Sequence, residues 1–294
     1  MEKLRYADLL DRLEGFDPWL TSLGLTARPN DRIHEAFKVL RRAEEASRKG
    51  HETGIYVDIR PGDWFPVVEA LEAHDIFAAF RNDPSPAIAP TLKRALSGPI
   101  QPIDENQRNR DGRNILFELA LAAEWRLRGA VVSLEEPDLR LIRDSTTFLV
   151  ACKRPANEES IQANICAAIK QLQHNLKTAL GSPFGVAAIS LSCIFNAGDK
   201  VFSGDMDDLR KHVESELDKY RPCLATVNDP RICCVIFHLA TPGLGGKEVD
   251  LVRASLTAAQ ELTPSLGSRI FETHARDMHS TPKQLWEHSN SKLR

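Results

Sequence analysis

Long hydrophobic runs, metal-type cysteine spacing and a marked excess of either charge are all missing from this 294-residue sequence. The longest apolar stretch, Gly185 to Phe195, is too short to cross a bilayer as a helix, so no membrane-spanning helix and a cytoplasmic location are expected. The first twenty residues interleave charged and apolar side chains at helical spacing, which does not read as a signal peptide. The six cysteines, at 152, 166, 193, 223, 233 and 234, include no CxxC pair, which argues against a structural zinc site. Most lie in apolar segments, where a free thiol behaves as a small hydrophobe, and the pattern suits a reducing compartment. A net charge of −3 excludes a wholesale basic nucleic-acid binder but leaves room for a local basic groove. Aromatic residues make up only 6% of the chain. No internal repeat or low-complexity tract is visible, and Gly243–Lys247 (GLGGK) lacks the spacing of a phosphate-binding loop.

What is present is a change of texture along the chain. Residues 1–100 read as a helical N-terminal domain. Asp31 can cap a helix with Ile33, Phe37, Leu40 and Ala43 on one stripe, ended by Gly50. Asp63 can cap a second through Val67, Val68, Leu71 and Phe77, and a third starts near Pro86 and stops at Gly98. His34, His51 and His74 are isolated and suit surface or capping roles. Residues 98–113 are rich in turn formers and charge and read as a connector. A core over 101–245 follows. Residues 114–128 predict a helix closed by Gly129, then strands over 130–134, 137–143 and 147–154. Asn157 caps an amphipathic helix carrying Ile161, Ile165, Ile169, Leu172 and Leu176, ended by Gly181, and 185–195 is a buried strand. A helix over 206–220 and a strand over 231–239 extend an α/β pattern of at least five strands. Residues 246–294 read as a helical C-terminal extension with a frayed polar end.

One helix carries a carboxylate on an apolar face. Glu118 shares its side of the helix with Ile115, Leu121, Ala122 and Trp125, and an unpaired buried carboxylate costs several kcal/mol. A metal-binding or catalytic role and a glutamate that simply reaches the surface both explain it. Asp138 begins the second strand, and Lys153 follows fifteen residues later at the end of the third. Alternation places Ala151 and Lys153 on one face and Cys152 on the other.

Taken together, EPDLRLIRDSTTFLVACKRP, the preceding helix with Glu118 and the following helix with Gln171 resemble the PD-(D/E)XK, or restriction-endonuclease-like, nuclease superfamily. The resemblance covers roughly residues 112–177. It implies an α-β-β-β-α-β core with a mixed central sheet flanked by helices. It also implies a metal-dependent endonuclease in which Glu118, Asp138 and the backbone carbonyl of Cys152 bind Mg²⁺ or Mn²⁺ and Lys153 is the catalytic cation. A nucleic-acid partner, DNA rather than RNA, follows from the family, with a protein partner or homodimer beside it and a setting in antiviral defence or DNA processing. Arg108, Arg110, Arg113, Arg154 and Gln171 are the candidate nucleic-acid contacts, and Lys170, His174 and Lys177 lie along the same helix as Gln171.

The sequence departs from the family pattern at Ala151, where an Asp or Glu should stand. Two readings follow: an active site held by the remaining acids, or a degenerate nuclease-fold subunit that binds nucleic acid or a partner. A hydrolase built on Cys152 and His174 is a third, disfavoured because alternation turns that thiol away from Lys153.

Overall fold

The computed structural model describes residues 6–26, 31–48, 64–198, 202, 206–245 and 250–262. Helices α1 (Tyr6–Leu13), α2 (Phe16–Ser22), α3 (Arg32–Arg48), α4 (Trp64–Phe80) and α5 (Ile88–Ala95) form the N-terminal region. Asp31 caps α3 as expected, its Oδ1 accepting the backbone N–H of His34 at 2.9 Å. The expected cap at Asp63, the stop at Gly50, His51 and residues 263–294 lie outside the described residues.

The α/β part then runs α6 (Asp111–Leu127), β1 (Val131–Ser133), β2 (Leu139–Arg143), β3 (Thr146–Lys153), α7 (Ile161–Thr178), β4 (Phe184–Ser190), a short α8 (Ser192–Phe195), α9 (Met206–Leu224), β5 (Ile232–Gly245) and β6 (Asp250–Glu261). The six strands form one mixed sheet in sequential order. β3, β4 and β5 are mutually parallel, and the outer pairings are antiparallel. The helix–strand–strand–strand–helix–strand order expected over 112–195 is therefore present.

Local chemistry explains most boundaries. Gly129 stops α6 at a φ of +88°, a conformation that suits glycine, while the next N–H returns to the Trp125 carbonyl. Asn157 and Ser160 make a reciprocal capping box ahead of α7. The expected strand over 185–195 ends at Ser190, and Ser192–Phe195 is a helical turn. The helical reading of the chain beyond 246 is corrected over Asp250–Glu261, which is a strand paired with β5 along its length. Its Ala-, Leu- and Gln-containing composition allows a helix, but the exposed ladder of β5 offers it continuous backbone partners, and tertiary pairing overrides propensity.

Each sheet face is covered. On one side Val132, Leu139, Leu141, Phe148, Val150, Cys152, Val186, Ala188 and Ile236 join α6 and the N-terminal helices in a single apolar cluster. On the other, Leu149, Ala151, Ala187, Ile189, Val235 and Phe237 pack against α7 and α9. Gly112 lets α6 approach the end of α5, since a Cβ there would stand 1.9 Å from the Ser97 carbonyl oxygen.

A buried chain of charge also crosses the first cluster. Glu69 of α4 accepts from Arg32 of α3 at 2.9 Å and from Arg113 of α6 at 2.7 Å. Arg113 reaches Glu105 at 3.1 Å, and Glu105 accepts from Arg154, just beyond β3, at 2.6 Å. Arg32 is fully buried and also donates to the Ala95 carbonyl. Removing one partner from such a network strands a desolvated charge. Glu69→Gln should therefore lower unfolding stability by about 3–5 kcal/mol in urea titration. A loss below about 1 kcal/mol, the range of exposed ion pairs, would show that the network contributes nothing beyond surface pairing.

Candidate functional site

The β2–β3 hairpin sets the geometry. Asp144 and Ser145 have φ of 47° and 64° and form a two-residue turn between the paired Arg143 and Thr146. Such a turn fixes register without slippage. Leu139 thereby pairs with Val150, and Asp138, the preceding residue, comes alongside the end of β3. Its Oδ2 accepts the backbone N–H of Cys152 at 2.6 Å.

Lys153 closes the strand end from the α7 side. Its Nζ donates to Gln171 Oε1 at 2.6 Å and to the Cys152 carbonyl at 2.9 Å, and lies 3.4 Å from Asp138 Oδ2. Gln171, from the middle of α7, uses its Nε2 to donate to the Pro137 carbonyl at 2.8 Å and to Asp138 Oδ1 at 3.4 Å. One amide thus spans the start of β2 and the end of β3, orienting the carboxylate and the ammonium together.

Glu118 comes from the opposite layer. It is half-buried in α6 among the buried Ile115, Leu121, Ala122 and Trp125. Burial pushes its carboxyl up to about 8, and the negative charge of Asp138 pushes in the same direction, while Lys153 and Arg94 oppose both. No described group hydrogen-bonds to it. Asp138 is also raised, by burial first, against the pull of Lys153 and the Cys152 N–H. Two carboxyl groups raised chiefly by burial share this electrostatic neighbourhood with one ammonium.

The structure thus joins Asp138, Lys153 and Gln171 in one hydrogen-bonded group, and Glu118 lies near enough for the charges of Asp138 and Lys153 to act on it. Cys152 is buried on the α6 face, its thiol pushed well above the ordinary range by burial and by Asp138. His174 is exposed on α7, on the opposite side of the sheet. That separation removes the geometry a Cys152–His174 pair needs. Arg108 is exposed and Arg110 half-exposed. The expectation for Arg113 and Arg154 is corrected: both are buried and ion-paired, Arg113 with Glu69 and Glu105, Arg154 with Glu105. A phosphate could reach either only by dismantling those pairs. Glu69 and Glu105 escaped the sequence reading, since no local spacing links them to partners 44 and 49 residues away.

The donor set fits a hard cation only in part from the protein. Among the described residues no group of three or more His, Cys, Asp or Glu could hold a metal ion. Two carboxylates remain, and a small divalent ion that keeps several waters is commonly held by one or two carboxylates together with substrate oxygens. The raised carboxyls of Glu118 and Asp138 are the groups such an ion would discharge. The Cys152 carbonyl is already an acceptor for Lys153. Ala151 is fully buried in the apolar cluster under α7 and supplies no ligand.

The Glu118 carboxyl makes a pH signature. Its pKa is raised on folding, so the native chain keeps a proton that the unfolded chain releases above the ordinary value of 4.5. Its contribution to stability is therefore fully present below 4.5 and is lost as pH rises through about 8, at no more than about 1.4 kcal/mol per pH unit. Glu118→Gln lacks this slope. Urea unfolding at about pH 5 and about pH 8 should show the variant gaining on the wild type at the higher pH. Equal differences at both pH values would place Glu118 in an unperturbed environment.

No helix among the described residues is long and apolar enough to cross a membrane. Comparison with models of known families, with curated proteins and with solved structures finds no match for this chain.

Proposed function

We propose that this protein is a metal-dependent endonuclease that hydrolyses phosphodiester bonds in DNA, built on a restriction-endonuclease-like core that lacks the acid of its third motif. One observation carries the reading. Asp138, Lys153 and Gln171 are tied into one hydrogen-bonded group at the end of β3, with Glu118 acting on it from α6. Packing alone does not require two raised carboxyl groups and an ammonium at one half-exposed position.

In this reading Glu118 and Asp138 hold Mg²⁺ or Mn²⁺, which when bound makes water more acidic and neutralises phosphate charge. Lys153 places its ammonium beside the scissile phosphate and stabilises the charge that develops there. Gln171 keeps Lys153 and Asp138 in register, and Asp138 is held by the Cys152 N–H. Lys170, His174 and Lys177, all exposed on α7, together with Arg108 and Arg110, contact the phosphate backbone. Because these contacts are ionic, binding weakens as salt rises.

A second reading has its own support in Ala151. With apolar packing where an acid is expected, and with Lys153 already satisfied by three acceptors, the same surface serves a non-catalytic subunit that binds nucleic acid.

Plasmid, single-stranded DNA and RNA incubated with the full chain in Mg²⁺ or Mn²⁺ separate the two. The nuclease reading expects DNA cleavage that falls about 100-fold or more in Asp138→Ala and in Lys153→Ala. Cleavage that survives both substitutions removes the site from the reaction. Salt-sensitive DNA binding without cleavage in either metal supports the non-catalytic subunit instead.

A further inference from the structure

The two edges of the sheet differ in length. β1 presents three residues, whereas β6 presents the twelve of Asp250–Glu261. All twelve pair with β5 in one continuous antiparallel register. The bond from the Leu262 N–H to the Cys233 carbonyl sets the phase of that ladder. Even-numbered residues of β6 therefore bond to β5, and the backbone groups of Leu251, Arg253, Ser255, Thr257, Ala259 and Glu261 point away from it. Gln260 Nε2 donates to the Glu261 carbonyl at 2.9 Å, and no other described residue bonds to this row. α4 and α9 lie against β6 without adding a backbone partner.

An open row of this length is a template for another strand, and proteins ordinarily blunt such an edge with charge, proline or a bulge. Between Arg253 and Glu261 the sequence ASLTAAQ holds neither charge nor proline, and the register with β5 runs without a bulge. Arg253 and Glu261 are the only charged residues of the outward row, and their signs are opposite. Two copies of β6 laid antiparallel about a two-fold axis can meet through these groups in several registers. With Thr257 opposite Thr257 of the second copy, Arg253 stands opposite Glu261 at both ends of the shared ladder. No other two-fold register sets these opposite charges against each other.

We propose that the protein is a homodimer joined through β6, its two sheets continuous and Thr257 on the two-fold axis. The pairs Arg253–Glu261, Ser255–Ala259 and Thr257–Thr257 exchange backbone bonds in both directions. The Arg253–Glu261 contacts select the register, since opposite charges directly across strands stabilise and like charges destabilise. Each N–H that meets the second copy is one that β5 leaves unused, so association needs no rearrangement of the ladder within a copy. The two-fold axis reverses the second sheet, so the two β3 ends lie on opposite margins of the joined sheet. The candidate sites then work apart, and the dimer and the nuclease reading stand or fall separately.

The test is sedimentation velocity on the full chain at about 1–100 μM, a range in which interfaces of ordinary size associate. The wild type should sediment at twice the chain mass. Thr257→Pro removes an outward N–H and no bond to β5, so it should sediment as a monomer with an unchanged far-ultraviolet circular dichroism spectrum. Arg253→Glu sets like charges at both ends of the ladder and should weaken the dimer roughly 10-fold, as should Glu261→Arg. Mixing these two variants gives each its opposite charge and should restore the wild-type affinity. A monomeric wild type, its edge left to another segment of the chain or to a different partner, would overturn the proposal. So would a dimer that Thr257→Pro leaves intact, or a mixture that binds no better than either charge variant alone.

Discussion

The buried chain of charge from Arg32 to Arg154 determines how the helical region and the sheet fit together. Arginine cannot lose its proton at any ordinary pH, so a buried guanidinium must be met by a carboxylate or carbonyl in defined geometry. Glu69 meets two of them and Glu105 meets two, with Arg113 shared between. Apolar contacts between α3, α4 and α6 tolerate small sliding, but this set of pairs does not. Its last member, Arg154, follows Lys153 directly. The end of β3 is thereby held from the α6 side by Glu105 and from the α7 side by Gln171. A site formed by a strand end depends on such fixation, because a displacement of about 1 Å in a positioning group can cost about 100-fold in rate.

How much of this was legible in sequence depended on the range of each interaction. Caps and periodic stripes act within one turn of helix, so Asp31, Asn157 and Gly129 marked their helices correctly, and Ile161 to Leu176 marked the buried face of α7. Asp138 and Lys153 stand together because hairpin register carries residues a predictable distance, and helix order leaves Glu118 within reach of their charge. The strand at Asp250–Glu261 was not legible, since what makes it a strand is the ladder of β5 and not its own composition. Arg113 and Arg154 were misread for a related reason. A guanidinium looks the same in sequence whether it meets a phosphate or a buried glutamate, and here Glu69 lies 44 residues from Arg113 and Glu105 lies 49 from Arg154.

Ala151 has a structural logic of its own. It shares its face of β3 with Leu149, and α7 closes over that face through Ile161, Ile165, Ala168 and Leu172. An acid here would need both room and a cation inside an apolar layer, which costs several kcal/mol unless compensated. Lys153 supplies no such compensation, because its ammonium is drawn to Gln171, Asp138 and the Cys152 carbonyl. The alanine and the closed lysine network are therefore two sides of one packing solution.

Glu118 then becomes the group on which the charge of the site turns. Asp138 is compensated by Lys153 and by the Cys152 N–H, whereas Glu118 meets no described donor and keeps its proton to about pH 8. With that proton in place, Asp138 and Lys153 cancel and the site is neutral. Without it, one negative charge stands uncompensated in a half-buried position, which would repel a phosphate. Positive charge brought to this point releases the proton from Glu118 and recovers the electrostatic cost of an ionised, partly buried carboxylate. The linkage works in both directions. If the proposed nuclease holds a cation here, raising the pH ionises Glu118 and strengthens its binding, while the incoming cation lowers the Glu118 pKa. On the nuclease proposal, affinity for Mg²⁺ or Mn²⁺, measured by titration calorimetry, should therefore rise with pH up to about 8 and level off beyond, set by one carboxyl in α6 and not by the lysine network across the sheet.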